Sequence, residues 1–173
     1  LSAVWSVLGN AGQDCCARSR LILQRTIYKD FVRELVRKFK EVQLGDPLKE
    51  TTEMGPLISK AHRERVKGYI DAGVAEGAEL LCGGNVPQEK QFAQGWYFQP
   101  AVFADVKADM RVAREEIFGP VLAVLPFDTE EEAIELANNS MYGLSGSLWT
   151  KDLGRALRVA RAVETGVISV NSG

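Results

Sequence analysis

Apolar residues recur along this chain at two spacings that alternate with each other. A helical period of about 3.6 residues runs over residues 28–43 and again from Ser59, a favourable N-cap, to about residue 76. Short uninterrupted apolar runs, typical of buried strands, lie at residues 20–25 and 121–127. The same patterns predict helices over residues 1–8, 110–115, 129–138 and 152–164, and strands over 79–82, 97–106, 144–150 and 167–170.

Strands that alternate with helices predict an α/β fold with an open, mostly parallel sheet covered by helices. Pro100 has no N–H group, so part of the strand over residues 97–106 is expected at an edge or a bulge. Leu153 and Leu157 are expected to face inward from the helix over residues 152–164. No repeat or linker divides the chain, so residues 1–173 are expected to form one domain.

Composition and charge exclude several classes of function. The 173 residues are 46% apolar and 25% charged with a net charge of −2, which disfavours a nucleic-acid-binding surface. No apolar run approaches the roughly 18 residues of a membrane span. Three cysteines without a Cys-x-x-Cys or histidine-rich cluster predict no metal site and a reducing compartment, the cytoplasm. No signal peptide is recognised, and the start at Leu1 suggests a fragment or trimmed chain.

Cys15 is the candidate for chemistry. It follows a glycine-containing turn and precedes an apolar run, and such a position leaves a side chain exposed yet braced by a following strand. A cysteine thiol has a free pKa of about 8.5, so a few per cent is nucleophilic thiolate at neutral pH. Buried cysteines are commonly inert, and that interpretation is favoured for Cys16 and Cys82.

Two sequence blocks carry a resemblance to a known family. The segment Asn10-Ala11-Gly12-Gln13-Asp14-Cys15 resembles the Gly-Gln-x-Cys signature of the aldehyde dehydrogenase superfamily. Residues 115–120 resemble its Glu-x-Phe-Gly-Pro motif, in the expected order and separation. The similarity runs from residue 10 to residue 171, although Leu8 replaces a phenylalanine that is frequent in the family.

The resemblance implies a catalytic domain like that of aldehyde dehydrogenases. In full-length members a separate domain binds the nicotinamide cofactor, and a small strand element holds subunits together. Neither is recognised in residues 1–173. The resemblance implies that the full-length protein is a homo-oligomer, a dimer or a tetramer.

The resemblance also assigns roles to residues. Cys15 would attack the aldehyde carbonyl to give a thiohemiacetal, hydride would pass to NAD or NADP, and water would hydrolyse the resulting thioester. Glu116 would accept hydrogen bonds from the nicotinamide ribose hydroxyls, and Phe118 would pack against that ribose. His62 and Arg65 correspond to positions where some members contact the adenosine end of the cofactor.

Two groups that the family uses are expected upstream of Leu1. They are the glutamate general base and the asparagine that assists the Cys15 N–H in binding the oxyanion. Loss of a general base alone costs roughly 10²–10⁴ in rate. Residues 1–173 by themselves are therefore expected to show negligible aldehyde oxidation.

Two alternatives stay open from the sequence. One is a cysteine hydrolase in which His62, the single histidine, serves as the base for Cys15. The other is a non-catalytic binding or assembly module, in which Cys15 would be no more reactive than Cys82. The identity of the aldehyde is not encoded in any motif of this chain.

Overall fold

A computed structural model describes residues 2–172, and Leu1, where the first predicted helix starts, lies outside the described residues. Within residues 2–172, six helices and six strands follow one another along the chain, with two short 3-10 turns. Their bounds are α1 Ser2–Leu8, β1 Arg20–Gln24, α2 Arg25–Glu41, α3 Lys60–Ala75, β2 Glu79–Cys82, β3 Ala101–Ala104, α4 Arg111–Arg114, β4 Val121–Phe127, α5 Glu130–Asn138, β5 Ser145–Leu148, α6 Leu153–Ala162 and β6 Val167–Val170, with the 3-10 turns at Gly9–Gly12 and Lys90–Phe92.

The main sheet has four strands in the order β1-β4-β3-β2. Strands β1 and β3 both run parallel to β4, with Arg20 opposite Ala123 and Ala101 opposite Val121. Strand β2 runs antiparallel to β3. No α-helix lies between these two strands, and a loop connection suffices when the chain reverses direction. The predicted α/β class with a mostly parallel sheet is confirmed.

The core lies around β3 and β4. Every residue of β3 is buried, as are the first five of β4, which shows that both faces of the sheet are covered at its centre. Helix α2 packs against all four strands of this sheet, and α1 packs against β4. The largest fully buried side chains include Phe39, Phe98, Phe103, Leu35 and Leu122.

Two predicted elements differ from the structure. The second helix begins at Arg25, directly after β1, instead of at residue 28. The extended segment forms ladder pairs only over Ala101–Ala104, in a strand paired on both sides. The expectation that Pro100 marks an edge or bulge in this strand is wrong, because the proline lies just before the first paired residue and need not donate to the ladder.

The last part of the chain, residues 130–170, contains α5, β5, α6 and β6 and is called the second layer below. Strands β5 and β6 make a separate two-stranded parallel sheet rather than extending the main one. The predicted helix starts are confirmed: Thr129 caps α5 and Asp152 caps α6 through their side-chain oxygens. The inward orientation predicted for Leu153 and Leu157 is wrong. Within residues 2–172, the exposed fraction of the surface is 74% for Leu153 and 51% for Leu157.

Of the helices in residues 2–172, none combines the length and apolar character needed to cross a bilayer.

Candidate active site at the amino edge of the main sheet

Cys15 lies at the tip of a tight turn. The turn spans residues 14–17 and is closed by a hydrogen bond from the Ala17 N–H to the Asp14 carbonyl, with N and O 3.0 Å apart. The Asp14 carboxylate accepts a second bond from the Cys16 N–H at 2.7 Å. Cys15 is exposed and Cys16 half-buried. Cys15 is thus not an inert core residue.

The segment before this turn is held in an unusual backbone conformation. Asn10, Ala11 and Gly12 all have positive φ, at 51°, 55° and 72°. For residues with a Cβ this conformation costs roughly 1–2 kcal/mol each. Side chain to backbone hydrogen bonds in both directions between Asn10 and Gln13 oppose that cost. Such strain is concentrated at functional sites, where the surrounding structure maintains it.

The two motif loops are in direct contact. A Cβ atom placed on Gly12 would lie 2.1 Å from the carbonyl oxygen of Gly119, so only glycine allows this approach. The topology explains the contact. One loop immediately precedes β1 and the other immediately precedes β4, and these strands are parallel neighbours whose amino ends lie at one sheet edge. The structure therefore brings Cys15 and Glu116 onto adjoining loops.

Helix α3 holds the second motif loop by its backbone carbonyls. Arg65 donates from Nη1 to the Ile117 oxygen at 2.6 Å and from Nη2 to the Glu116 oxygen at 2.7 Å. His62 Nε2 lies 2.6 Å from the Phe118 oxygen. The loop is thus bound at three successive residues. The polar ends of His62 and Arg65 contact protein backbone, and their predicted contact with the cofactor stays a prediction.

Glu115 anchors the same loop from its other side. Arg111 binds its carboxylate through two bonds of 2.9 and 3.0 Å, and the buried Tyr69 donates its hydroxyl at 2.9 Å. The Arg111 hydrogen bonds and then the Tyr69 hydroxyl lower the pKa of Glu115 to about 2. The guanidinium carbons of Arg65 and Arg111 each lie 5.1 Å from the Tyr69 ring centroid. This network fixes the base of the loop, while the backbone bonds from α3 hold its tip.

Glu116 and Phe118 form that tip. Both are exposed, and Phe118 has a positive φ of 58°. The ring meets His62 edge-on, with centroids 6.2 Å apart. The side-chain carboxylate of Glu116 makes no hydrogen bond within residues 2–172, in contrast to that of Glu115. A free carboxylate beside an exposed aromatic ring fits a ribose, whose two hydroxyls are donors.

The thiol of Cys15 is not activated by its described neighbours. Its pKa is raised, first by the hydrogen bond and charge interaction with Cys16, then by partial desolvation and the negative charge of Asp14. The backbone N–H of Cys15 acts in the opposite direction. No hydrogen bond joins Cys15 to His62 in the described part of the chain.

Some of these interactions were not predicted from the sequence. Tyr69 of α3 belongs to neither motif, yet its hydroxyl binds Glu115. Its position one turn after Arg65 was the available signal, since such residues share a helix face. The bond from the Ile58 N–H to the Gln13 side chain at 2.9 Å, which ties the cysteine loop to the start of α3, had no sequence signal.

Comparison with known proteins shows the family of this chain. The model of the aldehyde dehydrogenase family matches residues 2–173, so the chain belongs to the aldehyde dehydrogenase family. It is 43% identical over 169 residues to the betaine aldehyde dehydrogenase of Bacillus subtilis (strain 168). It is 46% identical over 170 residues to that of Rhizobium leguminosarum bv. trifolii (strain WSM2304). These alignments cover 98% and 96% of this chain but only 34% and 35% of the relatives.

Solved structures show the same fold. The betaine aldehyde dehydrogenase of Staphylococcus aureus in complex with NAD⁺, at 1.85 Å resolution, superposes with a TM-score of 0.97 at 40% identity. A mutant of that enzyme, solved with NAD⁺ and a cysteine modified by β-mercaptoethanol, also gives 0.97. Each match covers 98% of this chain, which spans about a third of the length of these proteins.

Proposed function

We propose that this chain supplies the nucleophile and part of the cofactor site of an enzyme that oxidises an aldehyde to a carboxylic acid. The contact between Gly12 and Gly119 carries the proposal, because it sets the exposed Cys15 beside the loop that bears the free carboxylate of Glu116. A core-packing role for these loops would not require two adjoining motifs to expose a thiol and an unpaired acid at one edge of the sheet.

In the proposed reaction the Cys15 sulfur forms a bond to the aldehyde carbon, which gives a thiohemiacetal. The backbone N–H of Cys15 is the local donor for the developing oxyanion. The thiohemiacetal then loses its carbon-bound hydride and its hydroxyl proton to become a thioester, and a nicotinamide cofactor bound beside Glu116 and Phe118 would supply the hydride acceptor. Hydrolysis of the thioester by water then releases the acid and restores the thiol. Since the pKa of Cys15 is raised, the proposal includes a general base, supplied by the rest of the full-length protein, that takes its proton.

Glu116 and Phe118 would bind the ribose next to the nicotinamide. The loop is rigidly held by His62, Arg65 and Glu115, and a rigid support is what an oriented cofactor requires. NAD is the first candidate, because the S. aureus relative was solved with it. NADP is the alternative, and no residue of this chain distinguishes the adenosine ribose of the two cofactors.

Betaine aldehyde is the first substrate to test, since the relatives at 42–46% identity carry its name. The test is NADH formation by the full-length protein with a panel of aldehydes. Cys15→Ala should lower kcat at least about a thousandfold, as loss of a nucleophile does. Glu116→Gln should raise KM for the cofactor about 10–100-fold, because hydrogen bonds to a charged group contribute about 1.5–3 kcal/mol.

Cys82→Ser is the matched control and should retain wild-type turnover, because this half-buried thiol lies on β2 and belongs to neither motif loop. Retained oxidation in Cys15→Ala would refute the proposal. Hydrolysis of an ester without any cofactor, lost in both Cys15→Ala and His62→Ala, would instead support the cysteine hydrolase.

The isolated chain gives a separate prediction. Residues 1–173 purified alone should form no measurable NADH with any aldehyde of the panel, since the proton of Cys15 has no base among its described neighbours. Robust turnover by this chain, measured against the full-length protein at equal concentration, would refute it.

A further inference from the structure

Three metal-ligating groups converge at the cysteine turn. One carboxylate oxygen of Asp14 and the two sulfurs of Cys15 and Cys16 all lie within 4.8 Å of one another. This is the sole such group of three or more found in residues 2–172. The turn holds the three residues together, because Asp14 accepts from the Cys16 N–H and its carbonyl accepts from Ala17. The proposed oxidation of aldehydes uses only one of these three groups, the sulfur of Cys15.

The spacing matches the requirements of a soft divalent cation. Zinc binds thiolate sulfur at about 2.3 Å and carboxylate oxygen at about 2.0–2.2 Å in a tetrahedral arrangement. Two sulfurs bound to one tetrahedral ion lie roughly 3.8 Å apart. This spacing is compatible with the sulfurs of Cys15 and Cys16, which lie within 4.8 Å of each other. Two protein thiolates and one carboxylate leave the fourth position to water. Soft thiolate ligands also discriminate against magnesium and calcium.

The charges at the turn favour the same kind of ligand. The Asp14 carboxylate and the two thiolates would place like charges on one turn, so a dication is attracted by all three groups and displaces one proton from each thiol. Adjacent residues have Cα atoms about 3.8 Å apart, shorter than the roughly 4.4–6.8 Å of ordinary disulfides, so the pair is better suited to bridging by an ion than to closing on itself.

We propose that Asp14, Cys15 and Cys16 form a binding site for a soft divalent cation such as Zn²⁺ or Cd²⁺, which binds as two thiols release two protons. An ion bound there occupies the sulfur of Cys15 and blocks its attack on any carbonyl. The site goes beyond the proposed oxidation of aldehydes, and its occupancy is measured without turnover. Failure of one proposal therefore leaves the other standing.

Titration of the reduced full-length protein with Cd²⁺ tests the site, followed by the sulfur-to-cadmium charge-transfer absorption and by competition with Zn²⁺. One equivalent should bind saturably. Cys16→Ser should weaken binding by more than about tenfold. Losing a residue that merely orients a metal ligand already costs about tenfold, and losing a ligand should cost more. Asp14→Asn should weaken it in the same direction, and Cys82→Ser should bind as wild type. Unchanged affinity in Cys16→Ser, or loss of binding in Cys82→Ser, overturns the proposal.

Protection from alkylation provides a second measurement that needs no variant. Saturating Cd²⁺ should protect Cys15 and Cys16 from iodoacetamide, as read by peptide mass spectrometry, and should leave the labelling of Cys82 unchanged. Equal labelling of Cys15 with and without the ion overturns the proposal.

Discussion

At the scale of single residues, the ionisation of Cys15 is controlled by the two residues that follow and precede it. Cys16 is the largest cause of its raised pKa, and the carboxylate of Asp14 adds to the effect. All three side chains lie on one turn, so the effect on Cys15 comes from residues that are local in the sequence.

Replacing Cys16 by alanine should therefore lower the pKa of Cys15. The pH at which the rate of Cys15 alkylation reaches half its maximum should move to lower pH, and Asp14→Asn should move it in the same direction by less. Iodoacetamide kinetics followed by mass spectrometry measure this midpoint. Cys82→Ser serves as the control, and an unchanged midpoint in Cys16→Ala would contradict the interpretation.

Glu115 gives a pH dependence of stability with a defined sign. Its pKa is lowered to about 2 in the folded protein, from an ordinary value of 4.5, because Arg111 and Tyr69 bind the ionised form. The unfolded chain therefore takes up this proton at a higher pH than the folded one. The stabilisation is fully present above about pH 4.5 and is lost as the pH falls toward 2.

Glu115→Gln should accordingly flatten the decline of the free energy of unfolding between pH 4.5 and 2, as measured by urea denaturation at a series of pH values. Glu116→Gln is the matched control, since its carboxylate has no hydrogen-bond partner among the described residues. A slope equal to wild type in Glu115→Gln would show that the network adds nothing to stability.

At the scale of elements, the site depends on loops that precede parallel strands. Gly12 lies before β1 and Gly119 before β4, and Gly119 in turn packs against Val66 of α3. The strands set the distance between the loops, while α3 sets their orientation through His62 and Arg65. A substitution at the contact should thus affect both loops together.

Gly12→Ala tests this contact. Its φ of +72° costs a residue with a Cβ about 1–2 kcal/mol, and the added atom would lie 2.1 Å from the Gly119 oxygen, which is backbone and cannot move freely. We expect a loss of more than about 2 kcal/mol in the free energy of unfolding. Gly9→Ala, where a Cβ would meet nothing within 4 Å, should change it by less than about 1 kcal/mol. Similar stability for the two variants would contradict the described packing.

At the scale of the whole molecule, burial is uneven. The four-stranded sheet contains the buried core, whereas α5 buries no residue fully and α6 buries only Ala156. Exposed apolar side chains accumulate in this second layer, including Leu144, Trp149, Leu153, Leu157 and Val167. Since stability in proteins is not uniform, we expect the second layer to open before the main sheet does.

A pair of leucine substitutions measures this difference in the isolated chain. Leu122→Ala, at a position only 1% exposed in the central strand β4, should cost about 2–5 kcal/mol through lost burial and the cavity it leaves. Leu153→Ala, at a position 74% exposed, should change the free energy of unfolding by no more than about 0.5 kcal/mol. Equal losses in denaturant titrations would mean that Leu153 is covered in solution.

The sequence by itself determined the order of helices and strands, the helix starts at Ser59, Thr129 and Asp152, the α/β class and the two motifs that indicate the family. These features are encoded locally, by periodicity, capping and short spacings. The tertiary structure alone decided that β2 reverses, that β5 and β6 pair separately, and that Gly12 meets Gly119 across more than a hundred residues of chain. It also directed His62 and Arg65 to backbone carbonyls and left Leu153 exposed. Such outcomes depend on which strands pair and on what covers a helix face. A local pattern of apolar residues is compatible with several strand pairings and with several partners for a helix face.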